Sequence, residues 1–287
     1  MISDLEVTAS NHLIDLEFTS EFELIELVIQ TSSEGALADQ SATAPHDVMG
    51  TTDDDALMGT TSDDEIRGAS GSDYIEAKQG HDLIYAGDQG DTIYAGGGDD
   101  VVYSGRGNDY VHLGRGNDYF IDGNHWGASV VIGGAGDDEI HGRGGDDIID
   151  AGIGDDIVDG GDGNDLIDAG SGENIVTGGA GSDQFVFDTS SGTTTITDFR
   201  TNEDQINLSE LLDGYVNYTV QLGDREFHFT SSDGDGLISS VDLDIQQAGE
   251  DVVVTISTGS HLTADPRNYI IVQNIRIEEL SETDFIL

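Results

Sequence analysis

The chain has 287 residues, of which 59 are Asp or Glu and 9 are Lys or Arg, for a formal charge of −50; it has 40 glycines, 2 prolines and no cysteine. Charge of this sign and size excludes nucleic acid as a partner and opposes stable membrane insertion, and the lack of cysteine excludes disulfides and thiolate metal sites. So much like charge in one compact chain requires something bound that neutralises it, and the glycines fall in register rather than at random, which argues against plain disorder.

Residues 1–30 mix short apolar groups with acids. Phe18, Phe22, Leu24, Leu27 and Ile29 suit one side of a strand pair or of a short helix, and periodicity does not choose between them. The segment reads as an N-terminal cap or tether. Met1–Ser10 has neither the basic nor the apolar region of a cleavable secretory signal, so an export address would lie elsewhere. No run approaches the ~18 apolar residues of a transmembrane helix. Residues 31–49, rich in Ser, Ala and Thr, read as a linker.

From Gly50 a period of nine begins, its units opening on glycine-containing turns; the first two (GTTDDDALM, GTTSDDEIR) lack the fourth-position glycine, as a frayed starting coil would. Its sixth positions are Asp55, Asp64, Asp73, Asp82, Asp91, Asp100, Asp109 and Asp118; its eighth are Leu57, Ile66, Ile75, Ile84, Ile93, Val102, Val111 and Phe120. A second run from Gly133 to Val186 puts Asp138, Asp147, Asp156, Asp165, Asn174 and Asp183 at the sixth position. Its eighth positions are Ile140, Ile149, Val158, Ile167, Val176 and Phe185. Between them lies Asp122–Ile132, eleven residues long, with Ser129 in the aspartate position and Val131 in the apolar one. It reads as one further unit with a turn two residues longer, from which His125 and Trp126 project.

After Val186 glycine thins out. β-type runs appear (TTTITDF, DREFHFT, DVVVTIS, NYIIVQNI), with a helical turn expected near Leu208–Leu212. Residues 187–287 thus read as a β-rich C-terminal domain. Ser231–Asp242 has the acid and glycine spacing of an EF-hand loop, with Ser231 where aspartate is expected; it reads as a β-turn or as an extra calcium site.

A nine-residue period with these fixed positions is the signature of a parallel β-helix that binds calcium in its turns. One unit makes half a coil: about three residues of strand after a six-residue turn, with the eighth side chains stacked inward between two parallel sheets. Calcium takes six to eight oxygens at roughly 2.3–2.6 Å, so each ion is expected between aspartates eighteen residues apart, with turn carbonyls completing the shell. The thirteen aspartates named above are the candidate ligands, for about ten ions that bring about twenty positive charges.

Parity divides the sixth positions into two edges. One holds Asp55, Asp73, Asp91, Asp109, Ser129, Asp147, Asp165 and Asp183, and is expected to lose or weaken calcium around Ser129. The other holds Asp64, Asp82, Asp100, Asp118, Asp138, Asp156 and Asn174, and is expected to weaken at the neutral Asn174. A solvated acidic repeat without ions leaves the strict glycine and apolar positions unexplained, and an ice-binding solenoid lacks its flat threonine ladder.

The units resemble the consensus GGxGxDxUx of the repeats-in-toxin (RTX) family over residues 50–186. GSDQFVF…TTITDFRTNEDQINLSELL resembles the start of the target domain that follows such repeats, and the ending IIVQNIRIEELSETDFIL is similar to uncleaved type I secretion signals. The resemblance implies an all-β fold, a right-handed parallel β-roll (β-solenoid) with a C-terminal cap. It also implies export by the type I secretion machinery to the outside of a Gram-negative cell, with folding on calcium there. The chain departs from many members in having only 49 residues before the repeats, no HExxH and no GxSxG. The expectation is a non-enzymatic secreted calcium-binding protein of surface or matrix. The alternatives are the C-terminal portion of a larger adhesin, or an enzyme with its site in the C-terminal β region or around His125 and Trp126. His81, His112 and His141 read as surface residues.

Overall fold

The computed structural model describes residues 46–123, 127–187, 192–209, 217–222, 225–230, 240–259 and 268–286. All of them lie in one compact unit, Gly35–Leu287. The apolar groups of residues 1–30, His125 and Trp126, the expected turn beyond Ser209 and residues 231–239 of the EF-hand-like loop lie outside the described residues. Ser240–Asp242, the end of that loop, open a strand.

Two sheets of stacked short strands form a solenoid. One runs in order through Asp47–Met49, Glu65–Ser70, Leu83–Asp88, Val101–Arg106, Tyr119–Ile121, Glu139–His141, Ile157–Asp162, Glu173–Ala180 and Gly192–Ile196. The other runs through Ala56–Met58, Tyr74–Gln79, Thr92–Gly97, Tyr110–Arg115, Val130–Ala135, Ile148–Ile153, Leu166–Asp168, Gln184–Val186, Gln205–Asn207 and Phe285–Ile286. Neighbours are parallel and eighteen residues apart, as in Ile66↔Ile84↔Val102 and Ile75↔Ile93↔Val111. The eighth-position side chains are therefore in vertical contact, and every one is buried. Each stacked aliphatic residue removes its surface from water against the coils above and below, worth about 1.5–3 kcal/mol per side chain.

The long turn before Ser129 leaves the stack intact. Tyr110 pairs with Val130 and Tyr119 with Glu139, a shift of twenty residues in place of eighteen, and Val131 fills the apolar slot. Two extra residues in a surface turn cost little while both flanking strands keep their partners.

Three features differ from the sequence reading. Many strands span six residues rather than three, because the glycine-rich start of each following unit continues the ladder, as in Glu65–Ser70 and Tyr110–Arg115. The first position of the unit thereby faces inward as well: Ala77, Ala86, Ala95, Leu113 and Ala151 are fully buried there. Finally, the solenoid starts inside the expected linker, since Asp47–Met49 pairs with Glu65–Arg67 and places Val48 against Ile66. No glycine turn precedes Val48, so a register read from turns begins one strand late.

The second position has positive φ, as at Gly105 (φ 100°) and Lys78 (φ 84°). A side chain at Gly105 would fall on the Gly87 carbonyl oxygen of the coil below, which is why glycine recurs at that position.

Beyond Val186 both sheets continue. Ile196 and Ile206 take the apolar slot against Val176 and Phe185. The first sheet then passes from Gly192–Ile196 to Asn268–Val272, which is parallel to it, and on to the antiparallel strands Asp251–Gly259 and Ser240–Ala248. In the second, Phe285–Ile286 pairs with Ile206–Asn207. The open end of the roll is thus closed by strands that bury Ile245, Val252, Val254, Ile270, Val272 and Phe285.

Candidate metal centre

The sixth residue of each unit stands where the turn enters the strand, and its side chain turns inward. Asp73, Asp82, Asp91, Asp100, Asp109, Asp118, Asp138, Asp147, Asp156, Asp165 and Asp183 are all buried. One carboxylate oxygen has a fixed role: Oδ1 accepts the backbone N–H of the sixth residue one coil earlier. The Asp73 N–H donates to Asp91 at 2.8 Å, Asp82 to Asp100 at 2.8 Å, Asp118 to Asp138 at 2.8 Å and Asp147 to Asp165 at 2.9 Å. The second oxygen is different. In all eleven residues Oδ2 is buried and has no hydrogen-bond partner.

A buried anionic oxygen without a partner is among the costliest groups a fold can carry. Burial pushes the Asp100 and Asp147 carboxyls up to about 8, and those of Asp82, Asp91, Asp138 and Asp165 up to about 7. The neighbouring aspartates on the edge add to this, while the backbone N–H bond opposes it. Such an array is stable only if protons or cations enter it.

The space around Oδ2 is also reserved. A Cβ added at first-position Gly59, Gly133 or Gly142 would lie 2.9, 2.7 or 2.6 Å from Oδ2 of Asp64, Asp138 or Asp147. In these coils the glycine at the first position therefore keeps room beside the carboxylate. Among the described residues no three His, Asp or Glu side chains converge on one point. Each position between coils instead offers two successive carboxylates and the carbonyls of the turns. That all-oxygen donor set suits a hard divalent cation such as calcium, and it contains no nitrogen or sulfur ligand that a softer metal would select.

The ends of both edges are built differently. Asp55 Oδ2 accepts the Thr51 N–H (2.6 Å) and hydroxyl (2.9 Å), and Asp64 Oδ2 accepts the Thr60 N–H at 2.5 Å. At the far end of the second edge, Asn174 keeps the ladder bond from the Asp156 N–H (2.9 Å). Its Nδ2 then donates to the Ala169 carbonyl at 2.9 Å. At the far end of the first edge the Arg200 guanidinium lies 3.6 Å from Asp183 Oδ2 and 3.5 Å from Asp204 Oδ1, and donates to the Gly181 carbonyl at 2.8 Å. At 3.6 Å this is an ion pair rather than a hydrogen bond, so Asp183 has a counter-ion while its Oδ2 has no donor. Asp204 continues the ladder by accepting the Asp183 N–H at 3.1 Å.

The structure thus brings the thirteen sequence-predicted aspartates onto two edges, and separates Asp55 and Asp64 from the other eleven by their local donors. Thr51, Thr60, Asp122, Arg200 and Asp204 were not singled out from sequence. The two threonines follow the opening glycine of their units, a signal that was present; Arg200 and Asp204 lie past the glycine register and are placed only by the strand stacking. His81 and His141 sit on the outer surface beside acids, His141 at 2.9 Å from Glu139. Among the described residues their side chains meet outer-face groups, His81 with Asp99 and His141 with Glu139 and Asp159.

The RTX calcium-binding nonapeptide repeat family matches the chain in four stretches, residues 49–84, 85–120, 125–158 and 150–185. No curated protein matches it in sequence. Among solved structures it is similar to the extracellular lipase LipA of Serratia marcescens, at 14% identity and a TM-score of 0.28, over 86% of this chain and 40% of the lipase. It is also similar to the R3 subunit of the AlgE6 mannuronan C5-epimerase of Azotobacter vinelandii, at 17% identity and a TM-score of 0.21, over 69% of this chain and 78% of that one. The chain therefore spans less than half the length of the lipase. Repeat sequence, coil register and buried carboxylate edges agree that residues 49–185 form a β-roll of RTX calcium-binding nonapeptide repeats.

Proposed function

We propose that this is a secreted, non-enzymatic calcium-binding RTX protein that folds when it meets extracellular calcium after type I export. The observation that carries this reading is the row of eleven buried Oδ2 atoms without a partner. Asp73, Asp91, Asp109, Asp147, Asp165 and Asp183 hold ions on one edge; Asp82, Asp100, Asp118, Asp138 and Asp156 hold them on the other. Asp55 and Asp64, bonded by Thr51 and Thr60, close the rows at their start. Calcium supplies the positive charge that each pair of successive carboxylates lacks, and about ten ions offset about twenty of the −50 charges.

Ion binding is then folding energy. In a cytosol poor in calcium the ionised edges repel one another and each coil buries too little apolar surface to remain ordered. Extracellular calcium modules bind at about 10⁻⁴–10⁻³ M, which matches the concentration change on leaving a cell. Residues 187–287, which extend both sheets, cap the roll and carry the region read by the secretion machinery. Far-UV circular dichroism with millimolar calcium and with chelator tests the proposal. The expected result is a β spectrum with calcium and a disordered one without it; a folded roll under chelator at neutral pH contradicts it.

A further inference from the structure

The coil that lacks a ladder aspartate carries a carboxylate at another place in the same turn. At Ser129 the ladder persists in weakened form: the Asp109 N–H donates to Ser129 Oγ at 3.3 Å, and the Ser129 N–H donates to Asp147 Oδ1 at 2.7 Å. Seven residues earlier, Asp122 occupies the first position of the unit, where the other coils of this edge have Gly50, Gly68, Ala86, Ser104, Gly142, Gly160 and Gly178. Its side chain is fully buried. Ser129 Oγ donates to Asp122 Oδ2 at 2.9 Å, and Ser104 Oγ approaches Asp122 Oδ1 at 3.2 Å.

The first and sixth positions share one space. A Cβ at Gly142 would lie 2.6 Å from Asp147 Oδ2 of its own unit, so a side chain grown from the first position points at the sixth-position carboxylate. Where the sixth residue is reduced to serine, that space is vacated, and here an aspartate at the first position enters it. The coils on either side present Asp109 Oδ2 and Asp147 Oδ2, both buried; Asp147 Oδ2 accepts no hydrogen bond, and at Asp109 the Ser104 hydroxyl is near enough to favour the charged carboxylate. The Asp122 charge is close enough to contribute to raising the Asp147 carboxyl. Asp122 thus stands, bonded by two serine hydroxyls, in the row of buried carboxylates at the place of the missing one, beside an Asp147 Oδ2 that accepts no hydrogen bond.

We infer that Asp122 is a calcium ligand that replaces the aspartate missing at Ser129, so that the ion row of this edge continues through the irregular coil instead of breaking there. This rests on the proposed calcium role of the ladder, and it revises the expectation that calcium is lost or weakened around Ser129. The carboxylate is supplied from the first position of the unit in place of the sixth.

The test counts bound calcium by elemental analysis of the purified full chain, and follows folding by circular dichroism during calcium titration. The variants are Asp122→Ala, Asp122→Ala with Ser129→Asp, and Asp91→Ala as a regular ladder position. Alanine is the first-position residue of other coils, so Asp122→Ala leaves the packing as it is elsewhere. The expected result is a loss of bound calcium and a higher calcium midpoint for Asp122→Ala, with recovery of both in the double variant. Asp122→Ala binding as many ions as the parent, while Asp91→Ala binds fewer, would make Asp122 a hydrogen-bonded plug and overturn the inference. If Asp91→Ala also keeps every ion, the ladder reading itself fails. Should Asp122→Ala not fold at any calcium concentration, the double variant decides: recovery supports interchange of the two positions and continued failure refutes it.

Discussion

Asp91 and Asp64 hold the same place in the repeat, yet their second carboxylate oxygens meet different surroundings. Asp91, in the middle of its edge, leaves Oδ2 buried and unpartnered, whereas Asp64, near the start of its edge, has Oδ2 bonded by the Thr60 N–H. The far ends follow the same rule with other chemistry: Asn174 turns its own N–H donor to a turn carbonyl, and Arg200 brings a fixed cation to Asp183 and Asp204. Interior coils are left electrostatically incomplete, whereas each end coil meets a donor or a cation of the chain itself on its outer side. A stack of identical ion sites needs such ends, because its last carboxylate would otherwise face a coil that does not exist. On the proposed calcium role, calcium dependence is expected to be concentrated in the interior, with the ends setting its limits.

The largest effect expected from one substitution comes from the backbone that both regions share. Gly105→Ala puts a Cβ onto the Gly87 carbonyl and forces a left-handed residue, so a loss of about 3 kcal/mol or more is expected by thermal unfolding in saturating calcium. The next effect separates interior from end. Asp91→Ala raises the calcium midpoint of folding about tenfold and lowers the bound-ion count. Asp64→Ala, judged by the same titration, keeps the ion count and costs about 1 kcal/mol for its lost cap. Equal ion loss in the two variants would erase the distinction.

Arg200→Gln removes the built-in cation from Asp183 and Asp204. That end is expected to become calcium-dependent, with lower stability that high calcium partly restores. Equal stability losses at low and high calcium would show that Arg200 acts by packing alone.

The smallest effect is a graded one with pH. The buried ladder carboxyls are raised by burial from 3.8 to about 6 at Asp118, Asp156 and the end residue Asp183 and about 8 at Asp100 and Asp147. Raised folded values mean that the folded chain binds protons more tightly than the unfolded one. Their contribution is fully present below about pH 3.8 and is lost as pH rises through about 6 to 8. Calcium-free protein is thus expected to gain β structure on acidification from pH 8 towards 5, as protons take the place of ions. With calcium present the dependence reverses, and the calcium midpoint rises as pH falls through the same range. Dichroism at several pH values, with and without chelator, reads both slopes.

The glycine, aspartate and apolar positions made most of this fold legible in the sequence, because each is required by a separate constraint repeated every nine residues. Ile84, Val102 and Phe120 stack where the period placed them, and the coil containing Ser129 kept its register. The first position was not legible as interior. It is filled by Gly, Ala, Ser, Leu and Asp, a set with no shared polarity, and only the six-residue strands show that it faces inward. Asp122 was hidden for that reason, as one acid among 59. Val48 was missed because it has the strand of the repeat without its turn. Arg200 and Asp204 depend on a stacking offset of 21 residues from Asp183 that no local pattern encodes.

A crystal structure of the full chain grown in calcium, with ions located by their anomalous scattering, tests the central claim most directly. Ions are expected between consecutive coils along both edges beside Asp73 to Asp183 and Asp82 to Asp156, with none between Asp183 and Asp204, where Arg200 sits. Ions scattered over the outer acids, with the interior Oδ2 atoms left unbound, would contradict it.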